Sequence, residues 1–178
     1  MISKKEVVRF LFEVGSLKQI PRSGWLYFCI KDPESVAEHS FRASIIAFFL
    51  TYLETKNLDK AYKAAFLALI HDLHEARVTD LHRLSKKYIK LDERRVIEDQ
   101  FKGFQEILRE FDENYKELEK YVKDADQLEL LLQAKEYSKL CSDVMLLTKN
   151  LKLNTETAKK LAEEIKNFSG KWWSNLKS

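Results

Sequence analysis

Apolar side chains return along this chain at steps of three and four, the spacing that lines one face of a helix. The pattern Ser3-Lys4-Lys5-Glu6 is a capping box, and Val7, Val8, Phe10, Leu11, Val14 and Leu17 follow it, which predicts a first helix ending near Lys18. Gln19 to Asp32, with Pro21 and Gly24, reads as an extended loop. A second capping box, Ser35-Val36-Ala37-Glu38, opens a helix whose stripe His39, Ala43, Ile46 and Leu50 is expected to be buried. Asn57-Leu58-Asp59 supplies a turn and an N-cap, and from Ala64 to Ile70 nearly every position is apolar. Continued to Ala76, that run predicts a central helix, hydrophobic all round and enclosed by the others. Thr79-Asp80-Leu81-His82 breaks it. Asp92 then starts a helix burying Val96, Ile97, Phe101, Phe104, Ile107 and Leu108, and Leu118 to Leu140 forms another. Beyond Cys141 two shorter helical stretches are expected, with Asn154 as a cap and Gly170 as a stop. The pair Trp172-Trp173 after it is read as a packing or dimer contact.

Composition narrows the class. Only Gly 4 and Pro 2 occur, which leaves no room for the turns of a many-stranded sheet, so the expected fold is all-α. A chain of 178 residues, 45% hydrophobic, fits one compact helical bundle over residues 1–178, with 141–178 as its C-terminal helical extension. Lys+Arg 31 against Asp+Glu 28 is a mild excess spread along the chain, so no nucleic-acid polymer or anionic membrane is called for, while a small anionic substrate is compatible. Cys29 and Cys141 are far apart and lack CxxC spacing, which suits a reducing cytoplasm. No apolar h-region follows the first lysines and no run approaches the ~20 apolar residues of a spanning helix, so a soluble cytoplasmic protein is expected.

Chemistry enters through polar groups in apolar surroundings. His71-Asp72 closes the apolar central run, and burying an ionised Asp72 alone costs several kcal/mol, so a cation is expected nearby. His39 heads a buried stripe on the preceding helix, and Asp126 lies between Val122 and Leu130 on a later one. Taken singly, each reads more readily as a satisfied core histidine or a snorkelling carboxylate. Together they offer two imidazoles and two carboxylates from three helices, a mixed set suited to one divalent Mn, Fe, Co, Ni or Zn ion. Such an ion lowers the pKa of water and polarises a phosphoryl oxygen, the work needed for phosphate ester hydrolysis. Glu75, four residues after His71, is placed to act from behind the ligands or on the substrate. Arg22 can fork onto a phosphate and Trp25 can offer a flat face to a sugar or base, against the alternatives of a solvated arginine and a packed tryptophan. His71-Asp72-Leu73-His74-Glu75 fails as a zinc-peptidase motif, which needs histidines four apart with glutamate after the first.

The order His39, His71-Asp72, Asp126 resembles the HD-domain metal-dependent phosphohydrolases, named for the adjacent His-Asp pair. Pro21-Arg22-Ser23-Gly24-Trp25, Pro33 to His39, His71 to Glu75, Asp80-Leu81 and Lys123-Asp124-Ala125-Asp126 resemble that family's 5′-deoxynucleotidase branch, over roughly residues 8 to 140. The resemblance implies an HD-domain helical bundle, usually a homodimer, that converts a deoxynucleoside 5′-monophosphate to nucleoside and phosphate. It implies metal ligation by His39, His71, Asp72 and Asp126. It also implies that Glu75 orients water or protonates the leaving 5′-oxygen, that Arg22 holds the phosphate, that Trp25 packs on the sugar, and that Asp80 contacts substrate or assists proton transfer. Two positions depart from the pattern: Thr79 stands where the family often has glycine, and His82 where a smaller loop residue is usual. The Gly-Tyr-Pro signature of cyclic-dinucleotide phosphodiesterases is absent. Competing readings are hydrolysis of another small phosphoester, and a helical binding or scaffold protein holding a structural ion or none.

Overall fold

The computed structural model describes residues 2–28 and 30–174, so Cys29 and what was expected of it lie outside the described residues. Helix α1 (Lys4–Gly15) begins at the expected capping box of Ser3 and Glu6, and a 3-10 turn continues it over Ser16–Gln19. The segment expected as an extended loop contains a further 3-10 turn, Ser23–Phe28. Helix α2 (Val36–Thr55) starts at Ser35, whose hydroxyl accepts from the Glu38 amide while Glu38 reaches back to the Ser35 amide. Asn57 caps α3 (Leu58–Ile70) through the Lys60 amide. A short α4 (Glu75–Val78), α5 (Glu93–Gln100), a long α6 (Gln105–Tyr137) and α7 (Glu156–Asn167) complete the bundle. Among the described residues the β pairing is one isolated bridge, Pro21 with Ser35, so the all-α expectation holds.

Three boundaries differ from the sequence reading. The apolar central run is not one helix to Ala76: α3 stops at Ile70, and the next residues wind with i-to-i+3 bonds, Leu73 to Ile70, Glu75 to Asp72 and Ala76 to Leu73. That tighter winding re-aims His71, Asp72 and Glu75 relative to an α-helix. Nor is α3 enclosed. Leu58, Tyr62, Phe66 and Leu69 are exposed along one face, and Phe41, Ile45, Phe49 and Tyr52 are exposed along a face of α2. The helix expected to run from Asp92 through Leu108 breaks at Phe101–Phe104, where Phe101 packs edge-on to Phe10 and Phe111 with centroids 5.2 and 5.9 Å apart, and Phe104 lies tilted against Phe10 at 5.4 Å. Gly103 sits in this break, where a Cβ would come within 3.0 Å of the Glu6 carboxylate. Downstream, α6 absorbs both the end of that expected helix and the next one.

The centre of the molecule is α6. Its Leu118, Tyr121, Val122, Ala125, Leu128 and Leu131 meet Ala47 and Leu50 of α2, Ala64, Leu67 and Ala68 of α3, and Ala158 and Ala162 of α7. Small residues on α2 and α3 bring those helices close to α6, so functional groups from all three can meet. Helix α7 is tied to α6 by Asp124, which is fully buried and accepts from the amide and side-chain nitrogens of Asn154 and the amide and hydroxyl of Thr155, all at 2.7–2.8 Å. Thr155, not Asn154, is the N-cap.

Candidate metal and phosphate site

His39 comes from the first turn of α2, His71 and Asp72 from the tight winding after α3, and Asp126 from mid-α6. The structure brings all four together. His39 Nε2 lies 3.2 Å from Asp126 Oδ1 and 3.7 Å from Asp72 Oδ2, and His71 Nε2 lies 3.2 Å from Asp72 Oδ2 and 3.9 Å from Asp126 Oδ1. The donor atoms of His39, His71 and Asp72 all lie within 4.8 Å of one another.

The far nitrogens are tied down. His39 Nδ1 meets Glu129 Oε2 at 2.6 Å, and His71 Nδ1 meets the Ala68 carbonyl at 2.7 Å. Both Nε2 atoms are buried without a hydrogen-bond partner, an arrangement that is costly unless something else accepts their lone pairs. Two orphaned imidazole nitrogens facing two carboxylates fit a divalent cation of the transition series. The charges fit the same need. Burial works against ionisation of Asp72 and Asp126, yet His71, Arg22 and His39 hold both carboxyls below the ordinary range. Burial and Arg22 oppose charge on His39, and Asp126 and Glu129 outweigh them, raising it to about 10.

The other expected residues surround this cluster. Arg22 Nη1 donates to Asp72 Oδ2 at 2.9 Å and lies 3.8 Å from Glu75 and 3.7 Å from Asp80, and its Nη2 is 3.9 Å from Asp126. Burial disfavours its charge, and these four carboxylates reverse that, so its pKa is held above the ordinary value. Glu75 is 3% exposed, and its Oε2 has no hydrogen-bond partner. Burial first, then Asp72 and Asp80, push its carboxyl up to about 9. Asp80 accepts from the Ser23 amide at 2.6 Å, and the Ser23 hydroxyl donates to the Asp80 carbonyl at 2.8 Å, which anchors the turn carrying Arg22. Asp80 is aimed there by Thr79, whose φ of 63° and ψ of 169° lie in a region kept almost entirely for glycine. Trp25 does not present the open face expected of it. It is 2% exposed in a cluster with Ile30, Ala134 and Val144, set edge-on to Tyr137, with Nε1 donating to Glu34 at 3.0 Å. It reaches the site as part of the pocket wall.

That pocket is about 450 Å³, within the range of small-molecule sites. The cluster and Arg22 lie in it with Phe28, Glu34, Leu130 and Leu147, and its mouth carries Tyr27, His82, Arg83 and Lys86. Tyr27 and His82 meet edge-on, with the phenol oxygen 3.1 Å from Nε2. Sequence reasoning missed Glu129, Arg42 and Glu34. Arg42 and Glu129 each stand three residues after a ligand, His39 and Asp126, and that one-turn offset is the available signal.

A helical bundle holding a histidine from one helix, an adjacent His-Asp pair after the next and an aspartate from a third is an HD domain, and the HD-domain family model matches residues 14–168. The chain belongs to that family. Within it, mouse 5′-deoxynucleotidase HDDC2 is 35% identical over 145 residues, covering 75% of this chain and 71% of that protein, so the chain also groups with the HDDC2 proteins. Among solved structures, the crystal structure of genomics APC5600 superposes with a TM-score of 0.86 at 43% identity, covering 95% of this chain and 99% of that one. A predicted coding region of Archaeoglobus fulgidus superposes at 0.71 and 40% identity, with the same coverage.

Proposed function

We propose that this protein is a metal-dependent 5′-deoxynucleotidase, releasing phosphate from deoxynucleoside 5′-monophosphates. One observation carries the reading: two buried imidazole Nε2 atoms without hydrogen bonds face Asp72 and Asp126, with Arg22 and the buried carboxyl of Glu75 in the same pocket. The relatives named 5′-deoxynucleotidase supply the substrate class. His39, His71, Asp72 and Asp126 would hold one divalent transition metal. When bound, that ion supplies Lewis acidity to a phosphoryl oxygen and lowers the pKa of water.

The chain's own groups do the rest. Arg22 binds the phosphate, its planar fork matching two oxygens, and the Asp80–Ser23 bonds orient the turn that carries it. As water attacks phosphorus and the P–O5′ bond breaks, Glu75 passes the proton on its raised carboxyl to the leaving 5′-oxygen and regains one from the attacking water, leaving nucleoside and phosphate. Of the two roles open to Glu75, a raised carboxyl pKa favours the acid. Phe28, Leu130, Leu147 and the buried edge of Trp25 bound the nucleoside side and exclude water there.

The exposed apolar faces of α2 and α3 support a homodimer, since two adjacent helices can pack against the same pair of a second copy. Phe49→Glu should then shift the protein to a monomer in light scattering. A reducing cytoplasm belongs to the same reading and rests on the cysteine spacing.

The test is phosphate release from a panel of deoxy- and ribonucleoside 5′-monophosphates, with metal-stripped protein resupplied with Mn, Co, Zn or Mg. Metal-dependent release with a deoxy preference is expected. Silence across a folded, metal-loaded sample would overturn the reading.

A further inference from the structure

Resting on the reading of His39, His71, Asp72 and Asp126 as metal ligands, we propose that Glu129 and Arg42 are positioning residues that fix His39 as an Nε2 donor to the ion. His39 is 1% exposed, and its Nδ1 lies 2.6 Å from Glu129 Oε2. An ionised carboxylate only accepts, so Nδ1 carries the hydrogen. When an ion displaces the second ring proton, the lone pair is on Nε2, the atom directed at Asp126 and Asp72.

Glu129 is itself fully buried. Two partners divide its oxygens. Oε2 takes His39, while Oε1 accepts from Arg42 Nε at 3.0 Å and Nη2 at 2.8 Å. Arg42 is steadied in turn by Glu136 at 2.9 Å and by the side-chain amide oxygen of Gln133. The buried anion is therefore paired and hydrogen-bonded, the condition under which such a charge persists.

The two imidazoles are not equally supported. His71 leans on a neutral carbonyl, that of Ala68, whereas His39 leans on a carboxylate, which holds its ring by the stronger, charge-assisted bond. The register makes the device possible. Arg42 follows His39 by three residues on α2, and Glu129 follows Asp126 by three on α6, so one pair of helix faces carries both the ligands and their support. An ion pair that served only to join α2 to α6 would be complete with Arg42 and Glu129. It would not need the bond to His39.

The experiment measures dissociation constants for Zn and Mn by competition with a chromophoric chelator, on the full chain and on Glu129→Ala, Glu129→Gln and Asp124→Asn, with circular dichroism confirming the fold. Asp124→Asn is the comparison, because it loosens the bundle by removing bonds to α7 and touches none of the ligands. Glu129→Ala should bind metal about 10- to 100-fold more weakly. Glu129→Gln should fall between it and the parent, since its amide oxygen still accepts from Nδ1 but carries no charge. Asp124→Asn should stay within twofold. Parent-like affinity in Glu129→Gln would overturn the proposal, and that isosteric variant decides alone if Glu129→Ala does not fold. Equal weakening in Asp124→Asn would also overturn it, by showing that affinity follows stability alone. If the unchanged chain binds neither metal, the ligand assignment fails and this inference falls with it.

Discussion

Replacing Glu75 by glutamine tests the chemistry at its most exposed point. The side chain is buried, its Oε2 lacks a hydrogen-bond partner, and its carboxyl is pushed up to about 9 by burial and by Asp72 and Asp80. At pH 7 Glu75 therefore carries its proton, so glutamine matches it in shape and charge and removes only the proton it can give. A positioned general acid is worth roughly 10²- to 10⁴-fold in rate, or about 2.7–5.4 kcal/mol at 1.36 kcal/mol per decade. Activity that depends on protonated Glu75 is present at low pH and lost as pH rises through its pKa. A bound dication favours the ionised form and moves that descending limb below 9, toward neutrality. The same shift acts on folding with a definite sign. Between the ordinary carboxyl value of 4.5 and about 9, folded Glu75 is protonated while the unfolded chain is ionised, so stability declines as pH rises across this window and the penalty stops growing above it. Metal-free Glu75→Gln should accordingly melt higher than the metal-free parent at pH 8, and the metal-loaded variant should lose at least 10²-fold in kcat. Stopped assays of phosphate release from pH 5 to 10, with parallel melting curves, check both. Parent-like kcat in the variant, or a limb that rises with pH and disappears on substitution, would refute the acid assignment.

His39→Ala and Asp72→Ala should each leave a folded bundle that retains no stoichiometric metal by elemental analysis; full retention in both would sink the site. Arg22→Ala should raise KM for a monophosphate by about 10-fold or more, the loss of a charge-assisted hydrogen bond worth roughly 1.5–3 kcal/mol, with a smaller change in kcat. Asp124→Asn leaves four donors, two of them on buried Thr155, facing an amide at a fully buried position and should cost about 3 kcal/mol, lowering Tm by roughly 6–12 °C; a shift under about 2 °C would show that α7 is held by other contacts. Thr79→Gly should do the opposite. It releases about 1–3 kcal/mol of backbone strain against a smaller entropic cost of glycine, so a Tm raised by a few degrees is expected, and an unchanged or lower Tm would contradict the strain assigned to that turn.

The parts of this site that could be read in advance are those whose chemistry clashes with their local pattern. His39 heads an apolar stripe, His71-Asp72 ends an apolar run, and Asp126 stands four from Val122 and Leu130; singly each reads as ordinary, and the set of four is what calls for a shared cation. The residues missed are those whose local pattern gives no such clash. Glu129 stands in Leu128-Glu129-Leu130-Leu131-Leu132, where one charge among leucines reads as the wet edge of a helix; only the approach of α2, which brings His39 across a gap of 90 residues, makes it a buried anion. Trp25 admits two readings from sequence, an open face or a packed indole. Its loop position suggested an open face, but a 3-10 turn folds the indole inward, where Glu34 takes its N–H. The apolar run of α3 reads as enclosed in sequence because hydropathy counts apolar faces and does not say which neighbour covers them. Three faces meet α2, α6 and solvent respectively, and the third, with Tyr62 and Phe66, is continuous in kind with the exposed face of α2. Thr79 ties the two levels together. In the sequence it is one departure from a family pattern, and in the fold it is a β-branched residue held at a glycine's φ and ψ so that Asp80 can brace the turn of Arg22. Strain kept at the one turn that orients the phosphate-binding arginine is the pattern expected where stability is given up for a site's geometry.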